Sequence, residues 1–461
     1  MLRKKWTDVW VCIFIFTLAI VFSMQSDLNI WYNGESGVDS SVFKTVAFMM
    51  SRGHMPYVDI FDHKGPLIYL LNWVGMLLSY WRGIWVVECV TIFVTFGMIY
   101  KIARLLCGKL MSCIVVLAAG AMLFLYYDKG NLVEEYAMPF IAIAIYIFAD
   151  YFLNNKVNKK RLILCGLSFG AVLMLRPNMI ATWIVFSLAV LIQSLHKKEI
   201  KPIGFFITWF GIGVGLIIIP ILLWLILNGA FEAFINDYFL FNFAYSDRMS
   251  NEKVLTSRVD TFLYFTDKAF TLPLLMVLAF TAKMKNRFWN CTYFLCYIMN
   301  LIFICIAGIA FIHYGMILVP LTAYPLAIVG GILEREILQG KGIGIVLLSF
   351  GFAALVYPKW AGGIERTLES YDARMISNRS ENTEMVVDYI VNHVEEDEKI
   401  SIFGNWNIIY VLSKRESASK YSYLYPIADV DQGIMREYIE DLENAPPKLI
   451  IVLDNNELGE R

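Results

Sequence analysis

One short stretch, Pro56–Pro66 with the sequence PYVDIFDHKGP, concentrates ionisable side chains in a chain that is 58% hydrophobic. It places two aspartates, a histidine and a lysine immediately before the apolar run LIYLLNWVGMLL. A carboxylate can act as a general base, and a lysine can neutralise an anion through charge-assisted hydrogen bonds. Loops between helices are also polar simply because they face water. The chemistry therefore depends on which other residues share the location of this stretch.

The composition indicates a membrane protein. The chain has 461 residues, of which 17% are charged, and a mean hydropathy of +0.58, which excludes a water-soluble globule. A span needs about 20 apolar residues. Candidate spans lie at 9–25, 84–103, 111–127, 136–153, 162–175, 179–195, 203–227, 269–282, 288–310, 314–333 and 342–357. We predict a mainly α-helical polytopic membrane protein with about 11 transmembrane helices. The first is an uncleaved anchor, because no small-residue cleavage pattern follows it.

Alternate loops are rich in lysine and arginine, which predicts their cytoplasmic location. The basic residues are Arg3, Lys4, Lys5, Lys101, Arg104, Lys109, Lys156, Lys159, Lys160, Arg161, Lys197, Lys198, Lys201, Lys283, Lys285, Arg287, Arg335 and Lys341. This alternation requires that 67–79, with 13 residues, does not cross the membrane. We expect it to form a helix in the outer interface. The N-terminus is then cytoplasmic, and the C-terminal segment lies outside.

With this orientation, polar residues gather on the extracytoplasmic side. They include loop 26–66, loop 128–136, Arg176 with Asn178, loop 228–268, and His313 with Tyr314. The predicted span centres carry almost no charge, which argues against an ion-driven transporter. A site at the lipid–water boundary suits a substrate with an apolar tail and a charged head.

The composition becomes charged after Pro358, which predicts two domains: a transmembrane catalytic domain at 1–360 and a soluble α/β domain at 361–461, called the tail below. Within the tail, 384–396 has helical periodicity, whereas 399–413 and 448–454 are typical of buried strands. We expect the tail to cap the membrane site or to contact an acceptor. No cysteine lies in the tail or in an outer loop, so no structural disulfide is implied.

The order of motifs along the chain resembles that of the GT-C superfamily of integral-membrane glycosyltransferases. In particular, it is similar to the bacterial relatives of protein O-mannosyltransferases and of aminoarabinose transferases. The motifs are GVDSSVF in a large outer loop after a first span, RGHMPYVDIFDHKGPLIY, EEY, RPN after a later span, and HYGMILVP near the last spans. A soluble outer domain follows them.

The resemblance implies transfer of a sugar from a polyprenyl-phosphate carrier to an acceptor hydroxyl on the outer face, with inversion. Asp39 occupies the position of the family's catalytic aspartate, and we expect it to act as general base. Lys64, Arg176 and His313 are candidates for binding the carrier phosphate. Supporting residues are Asp59, Asp62, His63, Glu134, Glu135, Asn178 and Tyr314. We expect no cofactor, no metal site and no nucleic-acid partner. The expected partners are the lipid-linked donor, a glycan acceptor (cell-wall polysaccharide, teichoic acid or lipid-linked glycan) and membrane lipid.

Several alternatives remain open at this level. Asp39 could instead cap the helix SVFKTVAFMM, Lys64 could extend along the interface, and Arg176 could be an interfacial anchor. The pair His313 and Tyr314 also suits an interface without a ligand. Either Glu134 or Glu135 could face the site, and either Asp59 or Asp62 could be catalytic or structural. Two other functions also remain: a polysaccharide polymerase or ligase, and a lipid-linked sugar flippase.

Overall fold

The computed structural model describes residues 2–29, 37–245, 258–268, 271–281, 286–306, 311–339, 342–376 and 381–453. Parts of the predicted loops 26–66 and 228–268, the ends of the spans 269–282 and 288–310, and the predicted cytoplasmic residues Lys283, Lys285 and Lys341 lie outside these ranges.

The described chain is mostly helical. Its α-helices are α1 Leu2–Ser23, α2 Val38–Ser51, α3 Pro66–Ser79, α4 Ile84–Ala103, α5 Lys109–Tyr126, α6 Val133–Asn154, α7 Lys159–Leu173, α8 Ala181–His196, α9 Lys201–Leu227, α10 Phe231–Phe234, α11 Arg258–Asp267, α12 Thr271–Thr281, α13 Arg287–Cys305, α14 Val319–Leu338, α15 Gly342–Ile376, α16 Glu381–His393, α17 Ile408–Ser413, α18 Ile427–Val430 and α19 Gln432–Asn444. Short 3₁₀ segments lie at Pro177–Met179 and Ile312–Leu318, and a π-helical segment at Ile235–Leu240. The strands are β1 Ile400–Phe403 and β2 Leu449–Val452.

The predicted fold class is confirmed. Each of the predicted apolar runs overlaps a helix of the described chain, namely α1, α4–α9 and α12–α15. Six helical stretches among the described residues are long and apolar enough to cross a membrane, or seven if the bent pair α11 and α12 forms one span. The six are Pro66–Ala103, which comprises the two helices α3 and α4, and Lys109–Tyr126, Val133–Asn154, Lys201–Leu227, Arg287–Cys305 and Ile312–Leu338.

Close helix packing depends on small residues, as is common in membrane proteins. At the contact between α7 and α9, a Cβ atom on Gly166 would lie 1.9 Å from the carbonyl oxygen of Phe210. A Cβ atom on Gly213 would lie 2.0 Å from the carbonyl oxygen of Ile163. The two helix backbones can therefore approach only because both positions are glycine.

Helix α3 is a separate short element. It has 14 residues and ends before the left-handed residue Tyr80, whose φ is 48°. A Cβ atom on Gly75 would lie 2.6 Å from Cα of Ile84. In one straight helix these two positions would be about 13 Å apart, so the chain turns between α3 and α4. The placement of α3 in the outer interface stays a prediction.

The described part of the tail combines helices with a two-stranded parallel sheet. Strands β1 and β2 pair from Ile400 with Leu449 to Phe403 with Val452. The predicted helix at 384–396 is confirmed by α16. The predicted strand 399–413 is wrong in its second half, where α17 follows β1. Helix α15 runs continuously across position 361, and the predicted domain boundary there stays a prediction.

The two ends of the helical bundle carry different sets of charged residues. At one end, Lys109 at the start of α5 pairs with Asp8 of α1 (2.6 Å), and the amide of Gly108 donates to Glu334 of α14 (2.6 Å). Helix α5 leads from there to the other end, where Asp128 follows it. This second end holds the charged residues described next.

Candidate active site

The turn before the predicted site residues is closed by Asp59. The amide of Met55 donates to the Asp59 carboxylate at 2.6 Å, and the amide of Tyr57 donates to the carbonyl of Ile60 at 2.8 Å. The Asp59 side chain is 43% exposed and its carboxylate lies 4.0 Å from His54. The structure therefore gives Asp59 a structural position and does not bring it among the other predicted site residues.

Asp62 opens the DHKGP block (residues 62–66) and is buried, with 3% exposure. Tyr423 donates to its Oδ1 at 2.9 Å, and Tyr69 donates to its Oδ2 at 2.8 Å. Burial raises the pKa of Asp62, and the charge of Lys64 and the two hydroxyl donors oppose that rise. The Asp62 carboxylate is thus held in one position by two hydrogen bonds.

His63 connects Asp62 to Lys64. Its Nε2 accepts a hydrogen bond from Lys64 Nζ at 2.7 Å, and its ring stacks on Tyr245 with centroids 5.1 Å apart. Burial, together with the positive charges of Lys64 and Arg176, lowers the pKa of His63 well below 6.5. The imidazole is therefore neutral. Because Nε2 accepts, the proton lies on Nδ1, which is 3.6 Å from Asp62 Oδ1.

Gly65 joins the DHKGP block to the end of α7. Its amide donates to the carbonyl of Leu175 at 3.2 Å, and the amide of Leu67 donates to the carbonyl of Met174 at 3.1 Å. A Cβ atom on Gly65 would lie 2.0 Å from the Met174 oxygen. The absence of a side chain at Gly65 therefore lets the block lie directly against the chain that leads into Arg176.

Arg176 is held by a carboxylate and an aromatic ring. Its Nη1 lies 2.5 Å from Glu134 Oε1, and its Nη2 donates to the hydroxyl of Tyr314 at 3.1 Å. The guanidinium carbon also lies 4.5 Å from the centroid of the Tyr314 ring, which is cation–π geometry. Arg176 is thus oriented by specific contacts, beyond what an interfacial anchor requires.

A small pocket opens beside this arginine. It is partly open, and it is lined by Glu134, Arg176, Asn178, Met179, Ile304, Tyr314 and Ile317. Asn178 follows Arg176 in the 3₁₀ segment, and its Oδ1 is buried without a hydrogen-bond partner among the described residues. The pocket therefore offers an acceptor atom next to a cation.

The structure distinguishes Glu134 from Glu135, although the two are adjacent at the start of α6. Glu134 lines the pocket and pairs with Arg176. Glu135 is fully buried and accepts from the amide of Asn131 at 3.0 Å, next to Glu88, which accepts from the same amide at 3.1 Å. Glu134 faces the site, whereas Glu135 belongs to a buried polar cluster behind it.

His313 lies at the same end of the bundle, immediately before Tyr314. Its Nδ1 is 3.6 Å from Asp128 Oδ2, and its ring stacks on Phe311 with centroids 5.6 Å apart. The adjacent histidine lowers the pKa of Asp128. The charges of Glu134 and Asp39 also act on His313.

Asp39 lies in the first turn of α2, where the helix dipole favours a carboxylate. The N-cap of α2 is Gly37 and makes no side-chain capping bond, so the capping alternative for Asp39 is wrong. The next residue, Ser40, accepts from Asn131 Nδ2 at 3.0 Å, which fixes the start of the helix. The residues that the structure describes make no hydrogen bond or ion pair to the Asp39 carboxylate, whose charge acts on His313 and Tyr423.

Most of the predicted site residues thus share one end of the bundle. The structure also adds residues that the sequence analysis did not select: Tyr69, Asp128 and Tyr423. The sequence could have indicated Asp128, because this residue lies in the polar loop 128–136. No feature of the sequence indicated Tyr423. Within the described ranges, no group of three or more His, Cys, Asp or Glu side chains could hold a metal ion.

The fold has clear neighbours among solved structures. ArnT from Cupriavidus metallidurans bound to undecaprenyl phosphate superposes with a TM-score of 0.62 at 12% identity, over 92% of this chain and 88% of that one. Its apo structure gives 0.57 at 13% identity, over 89% and 85%. The archaeal oligosaccharyltransferase AglB from Archaeoglobus fulgidus, in complex with an inhibitory peptide and a dolichol-phosphate, gives 0.53 at 10% identity, over 90% and 64%.

The chain therefore shares the fold of these solved structures, and the fold that we expected from the order of motifs is confirmed. Residues 6–337 match the family model described as "Putative competence-induced protein Ccs4 N-terminal domain", and the chain belongs to that family. A comparison with curated protein sequences gives no match.

Proposed function

We propose that this protein is a membrane glycosyltransferase. It moves a sugar from a polyprenyl-phosphate carrier to an acceptor hydroxyl at the outer face of the membrane, with inversion at the anomeric carbon. The observation that carries the proposal is the joint position of Lys64 and Arg176. Gly65 packs against the backbone that leads into Arg176, so Lys64 and Arg176 lie at the same end of the bundle, in a fold whose neighbour ArnT is bound to undecaprenyl phosphate.

Lys64 has the electrostatics required for a phosphate ligand. Its hydrogen-bond acceptor is the neutral His63, so this contact leaves the ammonium charge in place. A lysine has three donors, and the contact with His63 uses one of them. A carrier phosphate next to Lys64 and Arg176 would gain charge-assisted hydrogen bonds, which are stronger than neutral ones. His313 adds a further donor at the Asp39 side of the cluster.

The reaction needs one base and a stabilised leaving group. The acceptor oxygen attacks the anomeric carbon and forms the new C–O bond, while Asp39 takes the hydroxyl proton. The bond from the anomeric carbon to the carrier oxygen breaks, and its electron pair stays on the phosphate. Lys64 and Arg176 stabilise that charge. No general acid is needed, because the leaving phosphate does not require a proton.

The orientation in the membrane follows from charge. The end of the bundle that holds Lys109 belongs to the basic loops, which favour the cytoplasm. The cluster around Arg176 lies at the opposite end of α5, so we assign the site and the tail to the extracytoplasmic side. The acceptor is then a glycan hydroxyl outside the cell, in a cell-wall polysaccharide, a teichoic acid or a lipid-linked glycan.

The test is transfer by the full-length protein in liposomes that contain radiolabelled undecaprenyl-phosphate hexoses or pentoses, with cell-envelope glycans as acceptors. Wild type should release undecaprenyl phosphate and label the glycan. Asp39→Asn should reduce turnover by about 10²–10⁴-fold, the usual contribution of general base catalysis. Its affinity for undecaprenyl phosphate should stay unchanged.

Asp59→Asn is the matched control, because it makes the same chemical change at an aspartate that closes a turn. This variant should keep wild-type turnover. Normal transfer by Asp39→Asn would exclude Asp39 as the base. If no donor in the panel is consumed by wild type, the proposed activity is wrong for hexoses and pentoses on this carrier.

A further inference from the structure

The tail lies against the segment that carries the predicted site. The amide of Phe61 donates to the carbonyl of Lys420 at 2.8 Å, and the rings of Phe61 and Tyr421 have centroids 5.3 Å apart. Further contacts join the tail to α2 and to the end of α3: Thr45 with Asn407 (3.0 Å), His54 with Glu416 (2.9 Å) and Tyr80 with Val411 (2.6 Å). The tail is thus docked on the membrane domain over several elements.

One tail side chain reaches the DHKGP block itself. Tyr423 is 4% exposed, and its hydroxyl donates to Asp62 Oδ1 at 2.9 Å across a sequence separation of 361 residues. The oxygen that receives this bond is also the one 3.6 Å from His63 Nδ1. Tyr423 therefore acts on the side of the carboxylate that faces the histidine.

The contacts continue from this carboxylate to Lys64. His63 accepts from Lys64 Nζ at 2.7 Å, and its Nδ1 lies 3.6 Å from Asp62 Oδ1, in contact with the carboxylate but beyond hydrogen-bond distance. The rotamer of His63 determines where the ammonium group of Lys64 lies, because the hydrogen bond between them is short. A shift of Asp62 would pass to Lys64 through one side chain, that of the buried His63.

We propose that Tyr423 is a positioning residue of the carrier-phosphate site: it holds Asp62, and through Asp62 and His63 it fixes the ammonium group of Lys64. This inference rests on the proposed function and extends it, because it makes the tail part of the donor site. Docking of the tail and binding of the carrier phosphate are then coupled. A lipid phosphate binds with full affinity only when Tyr423 is seated on Asp62.

The experiment measures binding of undecaprenyl phosphate to the full-length protein in detergent. Tyr423→Phe removes one hydroxyl and should weaken binding by about 3- to 10-fold, part of the value of a hydrogen bond to a charged group. Tyr421→Phe is the matched control, since it removes a hydroxyl that bonds within the tail, to Glu437 at 2.5 Å. This control should bind like wild type. Asp62→Ala, which removes the acceptor instead of the donor, should reproduce the loss.

Double variants separate positioning from a general loss of structure. If Tyr423 acts through Lys64, Tyr423→Phe should cause no further loss in a Lys64→Ala background, and the full loss in an Arg176→Ala background. Equal losses in both backgrounds would overturn the inference. So would wild-type binding by Tyr423→Phe while Lys64→Ala weakens binding, an outcome that leaves the proposed function intact. If neither Lys64→Ala nor Arg176→Ala changes binding, the phosphate site of the proposed function fails as well.

Discussion

Replacement of Gly65 by alanine tests how the two cations are brought together. The added Cβ atom would lie 2.0 Å from the carbonyl oxygen of Met174 and 2.8 Å from that of Leu175. Ordinary contact begins near 3.4 Å, so the DHKGP block must move away from α7 by about 1.4 Å. Both clashing atoms belong to backbone, and a rotamer change cannot relieve them.

This displacement of the DHKGP block should lower the stability of the protein and weaken binding at the candidate site. Overpacking of this kind costs about 1–3 kcal/mol, and a displacement of about 1 Å at a catalytic site can cost 10²-fold in rate. We therefore expect Gly65→Ala to lower the unfolding temperature and to weaken binding of undecaprenyl phosphate by about 10-fold or more, because Lys64 moves away from Arg176.

The assay compares thermal unfolding and lipid binding of the purified full-length protein. Gly97→Ala is the control, since a Cβ atom there meets nothing within 4 Å and alanine favours a helix interior. Gly97→Ala should bind like wild type and be equally or slightly more stable. Wild-type binding by Gly65→Ala would refute the idea that this contact builds the phosphate site.

Three further predictions address neighbouring features. Glu134→Gln should destabilise the protein by about 1–3 kcal/mol in chemical or thermal unfolding, because it removes the ionic acceptor of the largely buried Arg176; unchanged stability would contradict a structural ion pair. Folding keeps His63 neutral, whereas the unfolded chain can protonate this histidine below pH 6.5. The free energy of unfolding should therefore be highest above pH 6.5 and fall as pH decreases below that value. His63→Gln should flatten this part of the stability profile, and an equally steep profile in the variant would exclude His63 as its source. A cysteine at the exposed Asn392 should react with an impermeant reagent in intact cells, whereas one at the exposed Lys160 should react only after lysis; the reverse pattern would invert the topology.

The sequence predicted the helical bundle well because apolar runs of membrane length have few alternatives to a helix. It predicted the tail less well. The run 399–413 is mostly apolar, and a short run of this kind cannot be assigned to strand or helix by periodicity alone. The structure interrupts it at Gly404, whose φ is 145°, and the residues after it form α17.

The sequence also predicted the candidate site only in part. Asp39, Lys64 and Arg176 were selected through a family resemblance, and their common end of the bundle followed from the alternation of loops. The choice between Glu134 and Glu135 depended on helix rotation, which sequence position did not define. The bond from Tyr423 to Asp62 depends on how the tail docks, and no local pattern encodes a contact across 361 residues.

The most direct test of the account is a cryo-electron microscopy structure of the full-length protein in lipid nanodiscs with undecaprenyl phosphate. We expect the phosphate oxygens within hydrogen-bond distance, about 2.7–3.2 Å, of Lys64 Nζ and the Arg176 guanidinium, with the Asp39 carboxylate on the same side of the bundle. A phosphate bound elsewhere, with Lys64 and Arg176 making no contact to it, would contradict the proposed site.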